Sequence, residues 1–263
     1  MLFSWLRTRR RRKLLAEPFP LRWERFLAEN VAHFPRLAPA EQARLRDAVR
    51  VLVAEKQWEG GPGLFVTEEM KVTIAAQAAL LLLGDDHDYF AQVDSVVVFP
   101  TAFRNPVRED DWDDELLAEG ERDGETGHRG PVILSWDNVL AEARDPGCGY
   151  NLVLHEFAHQ LDLLDGELNG TPDLPDRETQ TRWKYVMTVA FRDHRRAVDR
   201  FEKGGEEPFF SDQAAETEDE FFADATEAFY CQPHGFRAEF PAVYELFAAY
   251  YKVDPARWFP EPS

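Results

Sequence analysis

The stretch that most constrains this chain is His155-Glu156-Phe157-Ala158-His159, an H-E-x-x-H motif set in a mostly apolar run. Two histidines four apart on a helix share one face, about one turn from each other. Both imidazoles can then reach a single Zn²⁺ at roughly 2.0–2.1 Å, leaving room for another ligand and a water. Glu156 projects at about 100° from His155, which suits a general base better than a further ligand. Alone the motif is weak, since a surface helix with a Glu156/Gln160 pair and two locally satisfied histidines would read the same. The context argues for burial. Leu152, Val153, Leu154, Phe157, Ala158, Leu161 and Leu163 are apolar, and His155, His159 and Asp162 cut one polar stripe through them. Buried polar groups need partners, and a metal backed by a carboxylate is one.

Bulk properties narrow the class. With 263 residues the chain can bury a sizeable core. Its net charge is −19, yet residues 1–13 hold six basic groups (Arg7, Arg9, Arg10, Arg11, Arg12 and Lys13) and no acid. The rest therefore carries −25 (−19 less the six). Such a body is a poor match for direct nucleic-acid binding and a fair one for a basic partner. Residues 1–20 read as a basic, disordered tail and residues 21–263 as a single domain. The Phe3, Trp5, Leu6 and arginine cluster could touch an anionic membrane surface, but a solvated tail is the preferred reading. Cys148 and Cys231 lie far apart with no C-x-x-C, which suits a reducing compartment. The N-terminus lacks a secretory pattern, and the apolar run at residues 72–83 is too short for stable membrane insertion. A cytoplasmic location is expected.

Helical patterns cover residues 21–29, 39–58 and 67–83, the last capped by Thr67. Short buried strands are expected at residues 94–99 and 131–136, the second followed by a helix to about residue 143. The acidic stretch 104–129 reads as an exposed loop. Further helices follow at about 177–202, 217–230 and 241–251. The fold class is α+β, helix-rich, with a small sheet.

Zinc catalysis needs a third protein ligand. A metzincin pattern fails, because Asp162 and Asp165 stand where its glycine and histidine would be. His194 sits among charged residues on what reads as a solvated face; His33, His87, His128 and His234 lie in loop-like settings. Glu220 is the better candidate. With Asp224 and Glu227 it forms an acidic stripe (i, i+4, i+7) through a helix of Phe221, Phe222, Ala223, Ala225 and Phe229. Thr217-x-x-Glu220 is also a capping box that would use Glu220 locally. Spacing leaves both readings open.

The residues 151–166, together with Glu220-Phe-Phe-Ala, resemble the Mlc titration factor A family of zinc peptidases, relatives of the lethal-factor-type zincins. Further blocks carry the resemblance in order: Pro18-Phe-Pro20, Gly63-Leu-Phe, Thr73-Ile-Ala-Ala-Gln-Ala, Val97-Val-Phe-Pro-Thr-Ala-Phe103 and Gly130-Pro-Val-Ile-Leu-Ser-Trp136. The resemblance implies a zincin-like fold, its H-E-x-x-H helix packed on a second ligand-bearing helix. It implies His155, His159 and Glu220 as zinc ligands and Glu156 as general base. The implied activity is hydrolysis of short peptides, aminopeptidase-like, with binding of an Mlc-like transcriptional repressor as a further role. Asp162 and Glu227 are expected to orient the ligand imidazoles, and the strand at 131–136 to offer an edge to an extended substrate. The family usually has a tyrosine seven residues before the ligand glutamate, where this chain has Gln213. A weakened oxyanion donor there would cost on the order of 10²–10³ in rate, so the alternative is a catalytically weak zinc protein that acts mainly by binding such a repressor. Asp224 likewise replaces a residue that is commonly apolar.

Overall fold

Three short parallel strands frame the protein. The computed structural model describes residues 2–101 and 130–260, with side chains from residue 5 onward. In chain order the elements are α1 (Leu2–Ala16), α2 (Leu21–Asn30), α3 (Pro39–Glu55), β1 (Gln57–Gly60), α4 (Glu68–Leu80), β2 (Ser95–Phe99) and β3 (Val132–Ser135). Then come α5 (Trp136–Arg144), α6 (Leu152–Asp162), α7 (Arg177–Phe201), α8 (Glu218–Cys231), α9 (Pro233–Glu239) and α10 (Pro241–Tyr251). The sheet order is β1-β2-β3, with Val96 in register with both Trp58 and Val132. Parallel neighbours need a crossover, and α4 lies between β1 and β2 in the chain. On the sheet's inner face Val96, Val98, Val132 and Leu134 are buried, while Ile133 points outward and is half exposed.

Helix α4 is buried almost throughout, as a helix apolar on all sides should be. Thr67 Oγ1 accepts the Met70 N–H (3.2 Å) at its start, as its sequence suggests. The one amide in the run, Gln77, is used: its Oε1 accepts from Asn151 Nδ2 at 2.7 Å, at the N-cap of α6. Behind the site an aromatic layer ties α7, α8 and α10 together. Trp183 stacks on Phe247 (5.4 Å, 4°), and Phe229 packs against Tyr244, Phe247 and Tyr251.

The structure departs from the sequence reading in several places. The basic segment expected to be disordered is helical over Leu2–Ala16. Arg11 grips Glu55 (2.7 and 2.9 Å) and Asp88 (2.7 Å), Arg7 also pairs with Asp88, and Arg50 donates to the Leu14 and Glu17 carbonyls. Body carboxylates thus capture part of a charge run that would otherwise repel itself. The third helix stops at Glu55, because Gln57–Gly60 leaves it to pair with β2. Asp88, Tyr89 and Phe90 have φ of 50°, 56° and 52°, a left-handed turn of non-glycine residues that no composition rule signals. The acidic stretch 104–129 lies outside the described residues.

His33 and His194, assigned to loop-like and solvated settings, are both buried. His33 Nε2 donates to the Tyr230 carbonyl (3.0 Å), and the ring sits edge-on to Trp258 and Phe259. Burial pulls its pKa down to about 4, against the opposing pull of that carbonyl. A depressed folded pKa adds stability that is full above the unfolded value near 6.5 and is lost as pH falls through about 4. Urea denaturation at pH 7 and pH 4 should therefore show an acid loss of roughly 2–3 kcal/mol that His33→Gln lacks.

Candidate metal centre

Helix α6 begins under tight control. Asn151 Oδ1 accepts the Leu154 N–H at 3.0 Å, and the first free N–H groups go to carboxylates from two other helices. Glu142 of α5 takes the Leu152 N–H (2.6 Å), and Glu227 of α8 takes that of Asn151. Apolar residues Val153, Leu154, Phe157, Ala158 and Leu161 bury the helix, which turns His155 and His159 toward α8.

The two histidines and Glu220 converge. His155 Nε2 lies 3.3 Å from His159 Nε2 and 3.2 Å from Glu220 Oε2; His159 Nε2 is 3.8 Å from Glu220 Oε1. All three residues offer ligand atoms within 4.8 Å of one another. A tetrahedral ion with bonds of 2.0–2.1 Å has ligand–ligand edges of roughly 3.3–3.4 Å; the two edges at His155 match this, and the His159–Glu220 edge is longer at 3.8 Å. Orientation agrees with the spacing. His155 Nδ1 faces Glu227 Oε1 at 2.8 Å and Asp224 Oδ1 at 3.4 Å, so its hydrogen is taken up there and Nε2 is left for the common space. The residues present fit a divalent metal.

Electrostatics point the same way. Burial pulls the His155 pKa down, but bonds to Asp224, Glu220 and Glu227 outweigh it and hold the ring well above its ordinary value. The carboxylates thus demand a positive charge at this point. His159 is pushed down by burial and by cationic His155, and Glu220 is lowered first by its bond to His155. Glu156 lines a cleft of about 270 Å³ with Asn138, Glu142, Tyr150, Asp212 and Gln213. Burial raises its pKa against the pull of His155, and the charges of Glu220 and Glu227 add to the rise.

Thr217 and Glu220 satisfy both sequence readings in part: Thr217 Oγ1 accepts the Glu220 N–H (3.4 Å), while the Glu220 carboxylate turns into the site. Asp162 does not orient an imidazole. Its Oδ2 accepts the N–H groups of Asn169 (2.9 Å) and Gly170 (2.7 Å) and so shapes the loop after α6. Gly170 is required there, with φ of +72° and a would-be Cβ only 2.4 Å from the Glu218 carbonyl. Gln213, where the resemblance expects tyrosine, donates from Nε2 to Glu220 Oε2 at 2.9 Å. Asp224 Oδ2 accepts from Ser211 Oγ (2.8 Å), and His194 Nε2 meets the Ser211 carbonyl at 2.9 Å. Sequence reasoning missed Glu142, whose pKa burial raises to about 7. Its only signal was the four-residue spacing from Asn138 on one face of α5. Asn151→Ala would remove the cap of α6 and orphan the buried Gln77 Oε1. Thermal denaturation should register a loss of about 2–3 kcal/mol.

The chain has relatives among known proteins. The chain is similar to uncharacterized protein slr2042 of Synechocystis sp., at 28% identity over 94% of this chain and 89% of that protein. It is 30% identical to the Mlc titration factor A of Klebsiella pneumoniae, over 89% of this chain and 86% of that protein. The Mlc titration factor A of Yersinia pestis is 29% identical, over 85% and 83%. Residues 5–252 match the family described as Glucose-regulated metallo-peptidase M90, and the chain belongs to that family.

Proposed function

We propose that the protein is a zinc-dependent peptidase of the zincin type, acting on short peptides in the cytoplasm, with His155, His159 and Glu220 as metal ligands. The observation that carries this reading is the triangle of two imidazole nitrogens and a carboxylate oxygen beside the half-buried Glu156. When bound, zinc supplies Lewis acidity toward water and toward a carbonyl oxygen. Glu156 takes the proton of the attacking water on its carboxylate and returns it to the leaving amine. Burial raises its pKa, the direction that suits a group passing a proton from water to amine. Glu227 holds the His155 ring through Nδ1, and Glu220 is steadied by the Gln213 amide. The small cleft suits one or two substrate residues, in keeping with an aminopeptidase-like activity on a peptide lying along β3.

A second reading has one observation in its favour. One of the two Gln213 Nε2 hydrogens is engaged with Glu220, so the amide is held toward that carboxylate and has a single hydrogen left for a developing oxyanion. A slow enzyme whose main task is binding an Mlc-like repressor would tolerate this, and the names of the Klebsiella and Yersinia relatives point to such a partner.

The two readings separate on one experiment. Purified protein should hold about one zinc per chain and hydrolyse chromogenic aminoacyl or short-peptide substrates, and Glu156→Gln should keep the metal while losing roughly 10²–10⁴ in kcat. Zinc retained with no hydrolysis in either protein would favour the binding role, and no zinc would remove the site. Glu227→Gln, which weakens the grip on His155, should lower zinc affinity by roughly 10–100-fold in a chelator competition.

A further inference from the structure

A groove larger than the cleft beside Glu156 lies elsewhere among the described residues. It runs between α7, the loop at residues 205–209 and the start of α10, with a volume of about 890 Å³. That is near the top of the range of ligand sites, roughly 300–1,000 Å³. Its floor is apolar: Val186, Val189, Phe209, Phe240 and Val243 line it, and Val189 is 41% exposed. Tyr185, one turn before Val189 on α7, stands 72% exposed at its edge. Its rim is acidic. Glu206, Glu207 and Glu239 border the groove and make no ion pair among the described residues, whereas Asp193 is already tied to Arg196 at 3.0 Å. Arg200 is the one lysine or arginine among the lining residues.

An apolar floor beside unpaired carboxylates has a definite complement. We propose that this groove docks a cationic amphipathic segment of a separate protein partner, its apolar side chains on Val189 and Phe240 and its lysines or arginines at Glu206, Glu207 and Glu239. Peptide helices seat in grooves of this kind through one apolar face, and the fields of the two surfaces attract. The chain's own α1 has similar chemistry, with six basic residues and exposed Trp5 and Leu6. Two chains at −19 each repel, however, so a foreign cationic segment is favoured over a second copy. The docking needs neither metal nor hydrolysis.

The test is fluorescence anisotropy of the full chain with a labelled lysine–leucine amphipathic 15-residue peptide, beside a glutamate–leucine counterpart. The cationic peptide should bind and the acidic one should not. The triple variant E206K/E207K/E239K and, separately, Val189→Asp should each weaken binding at least tenfold. The triple variant E29K/E59K/E178K, with the same change in net charge away from the groove, should leave it within about threefold. Equal losses in the two triple variants would mean diffuse attraction to an acidic protein and would overturn the proposal, as would absence of binding. Light scattering supplies the remaining arm. Self-association abolished by W5A/L6A and competed by the peptide would make the occupant a second copy, which also overturns it.

Discussion

The arrangement of the site depends on one buried carboxylate. Glu227 gives one oxygen to the backbone of Asn151 and the other to the ring of His155, so a single side chain of α8 fixes both the start of α6 and the direction of its first histidine. Leaving water costs this group, and burial raises its pKa accordingly; two hydrogen bonds offset the penalty. Because α6 and α8 also pack directly, Glu220 is brought to the same space by the helix that supplies Glu227. Position and orientation of the imidazole thus have a common source.

This design explains why the two helices were legible in the sequence. Period and polarity alone marked α6 and α8 as apolar helices with one polar stripe each, and the stripes meet through His155 and His159 on one side and Glu220, Asp224 and Glu227 on the other. What the stripe could not say is how its members divide the labour. Asp162 and Glu227 occupy equivalent i+7 positions, yet one shapes a loop backbone and the other holds a ring. That difference arises from which element lies opposite, a tertiary fact with no local trace. The edge strand β1 was missed for a related reason: Gln57-Trp58-Glu59-Gly60 carries no strand alternation and is recruited by pairing with β2. Helix α1 was misjudged because its arginines looked solvated, while their partners Glu55 and Asp88 come from distant parts of the chain. Asp88 itself is presented by a left-handed turn that intrinsic preferences oppose.

The charge balance reads differently once the structure is known. Glu156, Glu220, Asp224 and Glu227 crowd around two imidazoles, and a proton on His155 is the positive charge the chain itself can offer them. A small part of the acidic composition therefore lies at this site and not on the surface.

The loop before α8 faces two ways. Residues 205–209 border the large groove, while Ser211, Asp212 and Gln213 border the cleft beside Glu156, where Ser211 holds Asp224 and Gln213 holds Glu220. A lengthened or shortened loop would refit one side only by displacing the other. Across descendants of this chain, the two surfaces are therefore not free to diverge separately: changes that retailor the groove will be tolerated mainly as substitutions, and insertions will be confined to lineages that have given up the geometry at Glu220.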